Sequence, residues 1–367
     1  MPSRTIVGAE ARALGQHAKW VMLSPHLKRY GGESLAYATL QEGLEYFIDD
    51  CGYIAFISVR HPVLARQGRR IALSDPICAP ENSARLIQNF LNDHPYAGFA
   101  VISEQCAEVL RGLGFRINCL GYEPELPIQT YNTKGNWKEL DLIKRARNEA
   151  RREGLIIREE QKIEKVDRSQ IAAISAKWLA TKKVSDREIW IYARRPVLHY
   201  EEDVRKFLAY DRDGRVAGFV FYDPMYRDER IFGHAATIVR CDEARFGRLA
   251  TAIHMEAMEK FRAEGAEVFN LCLAPFAKLD RGKYNDDFGA KLFFQLSERY
   301  GNKIYNFQGL SFHKSKYRGS EKPLYFASNR RAASMDVYLA FLSSDITRSY
   351  WGTVLRLLWG MLTAMRK

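Results

Sequence analysis

Three successive stretches decide the fold: Arg230–Arg240 (RIFGHAATIVR), Phe246–Gly265 (FGRLATAIHMEAMEKFRAEG) and Glu267–Ala274 (EVFNLCLA). The first reads as a strand. The second sets Ala250, Ile253, Ala257 and Phe261 on one side at helical spacing, and the third is a buried strand ending at Pro275. Upstream, Lys206–Asp211 and Val216–Tyr222 flank the turn Asp211-Arg212-Asp213-Gly214, which predicts a hairpin. Leu155 opens this unit with a strand (LIIREE), an amphipathic helix covers about Ser169–Ala180, and a polar segment runs from Lys182 to Pro196.

A similar order of elements precedes it. Gly52–Arg60 and Arg70–Cys78 read as strands, Pro80 opens a helix to about Asn92, and Gly98–Ser103, Glu104–Leu113 and Gly114–Pro127 continue as strand, helix and extended segment. Ser34–Asp50 shows apolar residues at helical spacing, and Met1–Gly32 is a basic lead-in read as one helix. Between the units, Asn136–Gly154 (NWKELDLIKRARNEARREG) is the clearest helix in the chain. It sets Leu140, Ile143, Ala146 and Ala150 against a basic face of Lys144, Arg145, Arg147, Arg151 and Arg152. The expected division is therefore a lead-in (1–33), a first unit (34–135), a basic connecting helix (136–154), a second unit (155–330) and a C-terminal segment (331–367). The class is α+β.

Composition narrows the partners. With 47% apolar residues the 367-residue chain can bury one large or two medium cores, and its net charge of +12 favours a polyanion such as nucleic acid, anionic lipid or a phosphorylated substrate. The six cysteines stand singly, with no C-x-x-C pair to suggest zinc or redox chemistry, and read as reduced and buried. The N-terminus lacks the apolar core of a signal peptide, and no apolar run is long enough for a transmembrane helix.

The densest chemistry lies in Ile304–Ala327 (IYNFQGLSFHKSKYRGSEKPLYFA), where aromatic residues interleave with Lys314, Lys316, Arg318 and Lys322. Read as extended chain, Lys314 and Lys316 point to one side and can hold a phosphate or an oxyanion; solvent-facing lysines are the plain alternative. Asn270, polar in an apolar strand, can orient an acyl group or satisfy backbone at the strand's end. Arg240, at the end of its strand, suits a carboxylate or phosphate or a surface ion pair. Asp75, before Pro76, reads first as a turn residue.

The hairpin, strand, helix and further strand of the second unit are similar to the core of the GNAT acyltransferase fold. There the strand-to-helix loop cradles a pyrophosphate; here that loop, Arg240–Ala250, has Gly247 but no glycine-rich run, which argues against acetyl-CoA. A more specific likeness comes from motifs in order: Ser74-Asp75-Pro76-Ile77; the Arg-rich helix ending in Glu153-Gly154; Ile174-Ser175-Ala176-Lys177-Trp178-Leu179; Phe269-Asn270-Leu271 with Ala274-Pro275; and Tyr305-Asn306-Phe307-Gln308-Gly309-Leu310 followed by Lys314 and Lys316. Over roughly residues 40–330 the chain resembles the catalytic domain of the phosphatidylglycerol lysyltransferases, also called aminoacyl-phosphatidylglycerol synthases or multiple peptide resistance factors.

The resemblance implies a tandem GNAT-like fold of two mixed-sheet units joined by the basic helix. It also implies transfer of an amino acid from aminoacyl-tRNA to a lipid hydroxyl at the cytoplasmic membrane face, with no metal or CoA. Lys314, Lys316, Asn270, Thr237 and His234 become the candidate catalytic residues, and Arg240, Gln308, Asp75 and Tyr325 candidate substrate contacts. Lys144, Arg145, Arg147, Arg151 and Arg152 become candidate tRNA or phosphate contacts, and a homodimer is possible in this reading.

Two departures bear on substrate. Thr237 stands where the lipid enzymes carry an acidic residue, with His234 an alternative proton acceptor, and Glu321-Lys322-Pro323-Leu324-Tyr325 replaces their Trp-Glu-Pro-Arg-Tyr. The multi-span region of the full-length lipid enzymes has no counterpart, so lipid flipping is not expected. Tyr350–Lys367 (YWGTVLRLLWGMLTAMRK) fits an amphipathic helix lying on the inner face of the cytoplasmic membrane, or docked on protein. The rival readings are transfer to a soluble amine, hydroxyl or peptide, and a non-catalytic RNA- or lipid-binding module.

Overall fold

The computed structural model describes residues 3–132, 135, 138–180, 192–303 and 305–344. The segment Tyr350–Lys367 and most of the polar segment after Ala180 lie outside them. Fourteen strands are found among the described residues: β1 (Arg4–Ile6), β2 (Glu45–Ile48), β3 (Gly52–His61), β4 (Ala65–Leu73), β5 (Ile77–Cys78), β6 (Ala97–Ile102), β7 (Arg116–Pro127), β8 (Ile156–Glu159), β9 (Arg205–Tyr210), β10 (Val216–Arg227), β11 (Arg230–Cys241), β12 (Val268–Asn270), β13 (Ala274–Pro275) and β14 (Ser320–Ser328). The helices are α1 (Gly8–Ala13), α2 (Gln16–Tyr30), α3 (Ser83–Asp93), α4 (Glu104–Gly112), α5 (Lys138–Arg152), α6 (Lys165–Ala180), α7 (Leu249–Ala263), α8 (Phe288–Tyr300), α9 (Phe307–Ser315) and α10 (Ala333–Ser343).

One hydrogen-bonded path joins the strands in the order β1-β2-β3-β4-β6-β14-β7-β12-β11-β10-β9-β8, with β5 on β3 and β13 on β7. Two pairs are parallel, β4 with β6 and β11 with β12, and each is bridged by a helix, α3 and α7 respectively. Such crossovers are what parallel neighbours require. β14, from far down the chain, lies between β6 and β7 and pairs with both.

The amphipathic pattern of the sequence is realised where it was strongest. Leu140, Ile143, Ala146 and Ala150 of α5 are buried as spaced, and Leu140 and Ile143 pack in one cluster with Ile253, Ala257 and Phe261 of α7. On the opposite sheet face Ile171 and Ile174 of α6 pack against Phe219, Phe221 and Ile238. All six cysteines are buried and unpaired.

Three local expectations are corrected. Ser34–Asp50 is not a helix but a 3-10 turn at Tyr37–Leu40 followed by β2; Leu35, Ala36, Tyr37, Ala38 and Leu40 are all buried, so the part around the turn has no solvent face. The lead-in is two helices and a short strand. The run Glu267–Ala274 stops being a strand at Asn270, whose Oδ1 accepts from Cys272 N at 2.6 Å and bends the chain away as an Asx turn.

Candidate active site

β11 pairs with β12 only through Gly233–Ala235 against Val268–Asn270, then continues to Cys241 while β12 bends off. The strands part. A cavity of about 1260 Å3 fills the gap, lined by Ile174 and Trp178 of α6 from one sheet face and by Ala250 and His254 of α7 from the other. Cys272 and Phe276 on its wall hold left-handed φ values of 58° each, a conformation that non-glycine residues keep only where surroundings enforce it.

The lysine-bearing stretch is a helix, not an extended loop. Asn306 caps α9 by accepting from Gly309 N at 2.9 Å, and a Cβ on Gly309 would fall 2.2 Å from the Asn306 side chain, so this Asn-x-x-Gly spacing builds the cap. α9 carries Lys314 inward and its C-cap is Lys316, each 8% exposed. Lys314 Nζ donates to the carbonyls of Cys272 (3.0 Å) and Leu273 (2.7 Å), the two left by the bend in β12. Lys316 Nζ donates to Thr251 Oγ1 at 2.5 Å and lies 3.2 Å from His313 Nδ1.

Burial pulls Lys314 down to about 8. Burial, reinforced by Arg248, does the same to Lys316, also to about 8. His254, its ring tilted at 52° to that of His313 with centroids 5.7 Å apart, falls to about 3 through burial and then the two lysines. His313 is lowered in the same way and both rings are neutral. With Lys316 donating to its Nδ1, His313 carries its proton on Nε2, which has no hydrogen-bond partner; His254 Nε2 has none either, while its Nδ1 faces Tyr222 Oη at 2.9 Å. The cavity thus has two lysines and two neutral imidazoles on one wall.

Arg240 forms the facing wall, its guanidinium 3.6 Å from the Trp178 ring centre. Thr237 lines the same wall. It is the extra residue of a β-bulge, since Ile238 pairs with Phe221 and Ala236 with Tyr222; its hydroxyl faces the Phe221 carbonyl at 3.5 Å. Away from these charges the lining turns apolar, with Phe276, Phe294, Val337, Ala340 and Phe341 between α8 and α10. Arg69 pairs with the fully buried Asp336, which Ser328 Oγ also bonds at 2.6 Å, and this fixes α10 beside that end.

Residues 25–328 match the family described as phosphatidylglycerol lysyltransferase, C-terminal. The chain belongs to that family. The phosphatidylglycerol lysyltransferase of Bacillus subtilis (strain 168) is 21% identical over 341 residues, covering 89% of this chain and 37% of its own length. An uncharacterised protein of Corynebacterium glutamicum is 22% identical over 307 residues, covering 79% of this chain and 36% of its own. The chain therefore spans little more than a third of these curated relatives. Among solved structures, L-PGS from Bacillus licheniformis superposes with a TM-score of 0.69 at 20% identity over 89% of this chain and 96% of that one. The C-terminal domain of a putative lysylphosphatidylglycerol synthetase from Agrobacterium fabrum gives 0.69 at 19% over 91% and 99%. These likenesses establish the fold.

Of the positions singled out through the lysyltransferase resemblance, Lys314, Lys316, Thr237 and Arg240 meet at the cavity. The others stand elsewhere. Asn270 is fully buried and shapes the bend that opens the cavity. His234 stacks on Phe261 at 3.9 Å, its pKa pushed down to about 3 by burial. Gln308 is exposed and reaches the Glu298 carbonyl at 3.4 Å. Tyr325 Oη accepts from Lys283 N at 3.0 Å and donates to Glu104 at 3.1 Å, while Asp75 accepts from Ser103 N and Oγ at 2.8 and 2.5 Å.

On α5, Arg147 pairs with Glu259 at 2.5 Å, and Lys144, Arg145, Arg151 and Arg152 are exposed. Sequence reasoning passed over His254, which sits in the apolar pattern of a core helix, and His313, masked by the lysine beside it. It also passed over Arg194, which lines the cavity and pairs with Asp223 (2.9 Å) and Glu201 (2.5 Å). Asp49, Asp50 and Cys51 bring potential metal-ligand atoms within 4.8 Å of one another, but none of the three lines the cavity.

Proposed function

We propose that this chain transfers an amino acid from an aminoacyl-tRNA to the hydroxyl of a phosphatidylglycerol-like lipid. The observation that carries the reading is the single cavity with a cationic end, at Arg240, Lys314 and Lys316, and an apolar end, at Phe276, Phe294 and Phe341, in a member of the lysyltransferase family. A phosphate and an ester carbonyl suit the first end and an acyl chain the second. A soluble acceptor would have no use for the apolar end.

The reaction asks for positioning, oxyanion stabilisation and a route for one proton. The lipid hydroxyl oxygen bonds to the ester carbonyl carbon, and the bond from that carbon to the tRNA ribose oxygen breaks. The Nε2–H groups of His313 and His254, neutral and without other partners, are suited to hold the oxyanion. Lys316, near 8, gives a proton to the leaving ribose oxygen as it takes the one released by the attacking hydroxyl. Lys314 keeps the wall in place through its two carbonyl contacts.

The donor's acceptor stem meets the exposed lysine and arginines of α5, which packs on α7 behind the cavity. The two parallel pairs, each bridged by a helix, support a duplicated GNAT-like unit as the origin of the fold. No metal or CoA enters this scheme. No helix among the described residues is long and apolar enough to cross a membrane, and in this reading the chain works at the cytoplasmic membrane face through surface attachment. The test is transfer of labelled amino acid from charged tRNA to phosphatidylglycerol vesicles.

A further inference from the structure

α8 and α10 carry apolar side chains on two sides. Their inner sides, with Phe294, Val337, Ala340 and Phe341, line the apolar end of the cavity. On the outer side of α8, Phe288 and Leu292 stand one turn apart and are 77% and 42% exposed; on that of α10, Met335 is 41% exposed. Phe288 is the most exposed large apolar side chain among the described residues, and Val63, in the turn between β3 and β4, is next at 74%. Neighbouring contacts bring the four together. A Cβ on Gly289, the residue after Phe288, would fall 2.9 Å from the side chain of Ser334, the residue before Met335. His61, two residues before Val63, meets the ring of Tyr338, one turn along α10 from Met335, with centroids 6.5 Å apart, and Arg330 donates to the Leu64 carbonyl at 2.6 Å.

Exposed apolar side chains grouped in this way mark an interaction surface, and the charge around them says with what. Arg60 and Arg66 flank Val63, Lys291 and Arg299 share the outer side of α8, and Arg331 precedes α10; all five are exposed. Negative charge is kept away from the same face. α8 and α10 contain one acid each, Glu298, half-buried, and Asp336, buried against Arg69. Asp287 is turned inward as the cap of α8, where it accepts from Ala290 N at 2.7 Å, and residues 61–68 contain no acid. An apolar centre with a one-signed basic rim suits a surface that is apolar inside and anionic at its boundary.

We propose that the face formed by Phe288, Leu292, Met335 and Val63 docks on an anionic lipid surface, these side chains entering the acyl boundary while the cations meet headgroup phosphates. The claim rests on the transfer reading for its choice of a lipid surface over a protein one. Its second support is continuity: the same two helices that present this face form the wall of the cavity's apolar end, so docking brings that end, and not the cationic one, next to the bilayer.

The test is binding of the full chain to vesicles of phosphatidylcholine with or without phosphatidylglycerol. It is followed by sedimentation and by an environment-sensitive fluorophore on Phe288→Cys, a selective label because the six native cysteines are buried. A blue shift is expected with phosphatidylglycerol vesicles, smaller at high salt, and none from the same fluorophore on Asp213→Cys in the exposed β9–β10 turn. The triple variant Phe288→Ser, Leu292→Ser, Met335→Ser should bind these vesicles at least about ten-fold more weakly with unchanged thermal unfolding. No shift at Phe288, equal shifts at both positions, or vesicle binding kept by the triple variant and lost on removal of residues 345–367 would overturn the proposal. So would a dimer in vesicle-free solution that the triple variant disperses. Short-chain phosphatidylglycerol, dissolved as monomer, separates this claim from the transfer reading: the triple variant should transfer to it at the wild-type rate while losing transfer to vesicles. Equal loss on both lipids would sink the docking face and leave the transfer reading standing; vesicle docking through Phe288 by a chain that transfers to neither lipid does the reverse.

Discussion

Lys314 Nζ bonds the carbonyls of Cys272 and Leu273 at 3.0 and 2.7 Å, so the lysine that sequence marks as chemical also holds the bend by which β12 leaves β11. Lys314→Met keeps the length and apolar stem but strands two buried carbonyls. The expected loss is about 1–3 kcal/mol of stability by urea unfolding, together with most of the turnover. Unchanged stability would detach Lys314 from the bend.

Lys316 gives the pH prediction. Its folded pKa of about 8 lies below the ordinary lysine value of 10.5, so above about 8 the folded site has lost the proton that the mechanism uses. Turnover, corrected for spontaneous ester hydrolysis, should fall above pH 8. Lys316→Met should remove that limb while lowering the rate throughout; a rate still rising at pH 9.5 would contradict the assignment.

Glu33 gives a stability prediction of definite sign. Its folded pKa, raised from 4.5 to about 8, means the folded state holds a proton that the unfolded chain has released between those values. Its contribution is therefore favourable below pH 4.5 and is lost as pH rises through 8. Thermal unfolding of Glu33→Gln should show stabilisation over the wild type at pH 8.5 and little difference at pH 4.5.

Much of this was legible in the sequence, and the failures have physical causes. α5 announces itself because it has one buried and one wet face, and α7 by its apolar period, although every residue from Leu249 to Met255 is buried. Ser34–Asp50 misleads because its first half, Ser34 to Gln41, is buried all round, leaving no period to read. In Ile304–Ala327 the aromatic residues suggested extended chain, although Asn306 followed by Gly309 is a readable helix cap. The convergence of His254, His313, Lys316 and Arg240 was not readable, since it depends on where β11 and β12 part. That point is set by one side-chain bond, Asn270 to Cys272 N.

The stack of Arg240 on Trp178 predicts a binding defect. Trp178→Leu removes about 0.5–2 kcal/mol of cation–π attraction, so KM for charged tRNA should rise about two- to thirty-fold with kcat less affected. A change in kcat alone would place Trp178 in the chemical step.

Exposed Lys144, Arg145 and Arg151 can be reversed together to glutamate with little effect on the fold. Affinity for tRNA should drop, and the slope of log affinity against log salt should shrink by up to about three. Binding that keeps its slope would take α5 out of the tRNA surface.

The most direct measurement of the central claim supplies purified chain with a mixture of labelled aminoacyl-tRNAs and phosphatidylglycerol vesicles, and then separates lipids from water-soluble products. The account predicts label in an aminoacylated lipid, formed much more slowly by Lys316→Met. Label confined to free amino acid or to a soluble acceptor added in competition would contradict it.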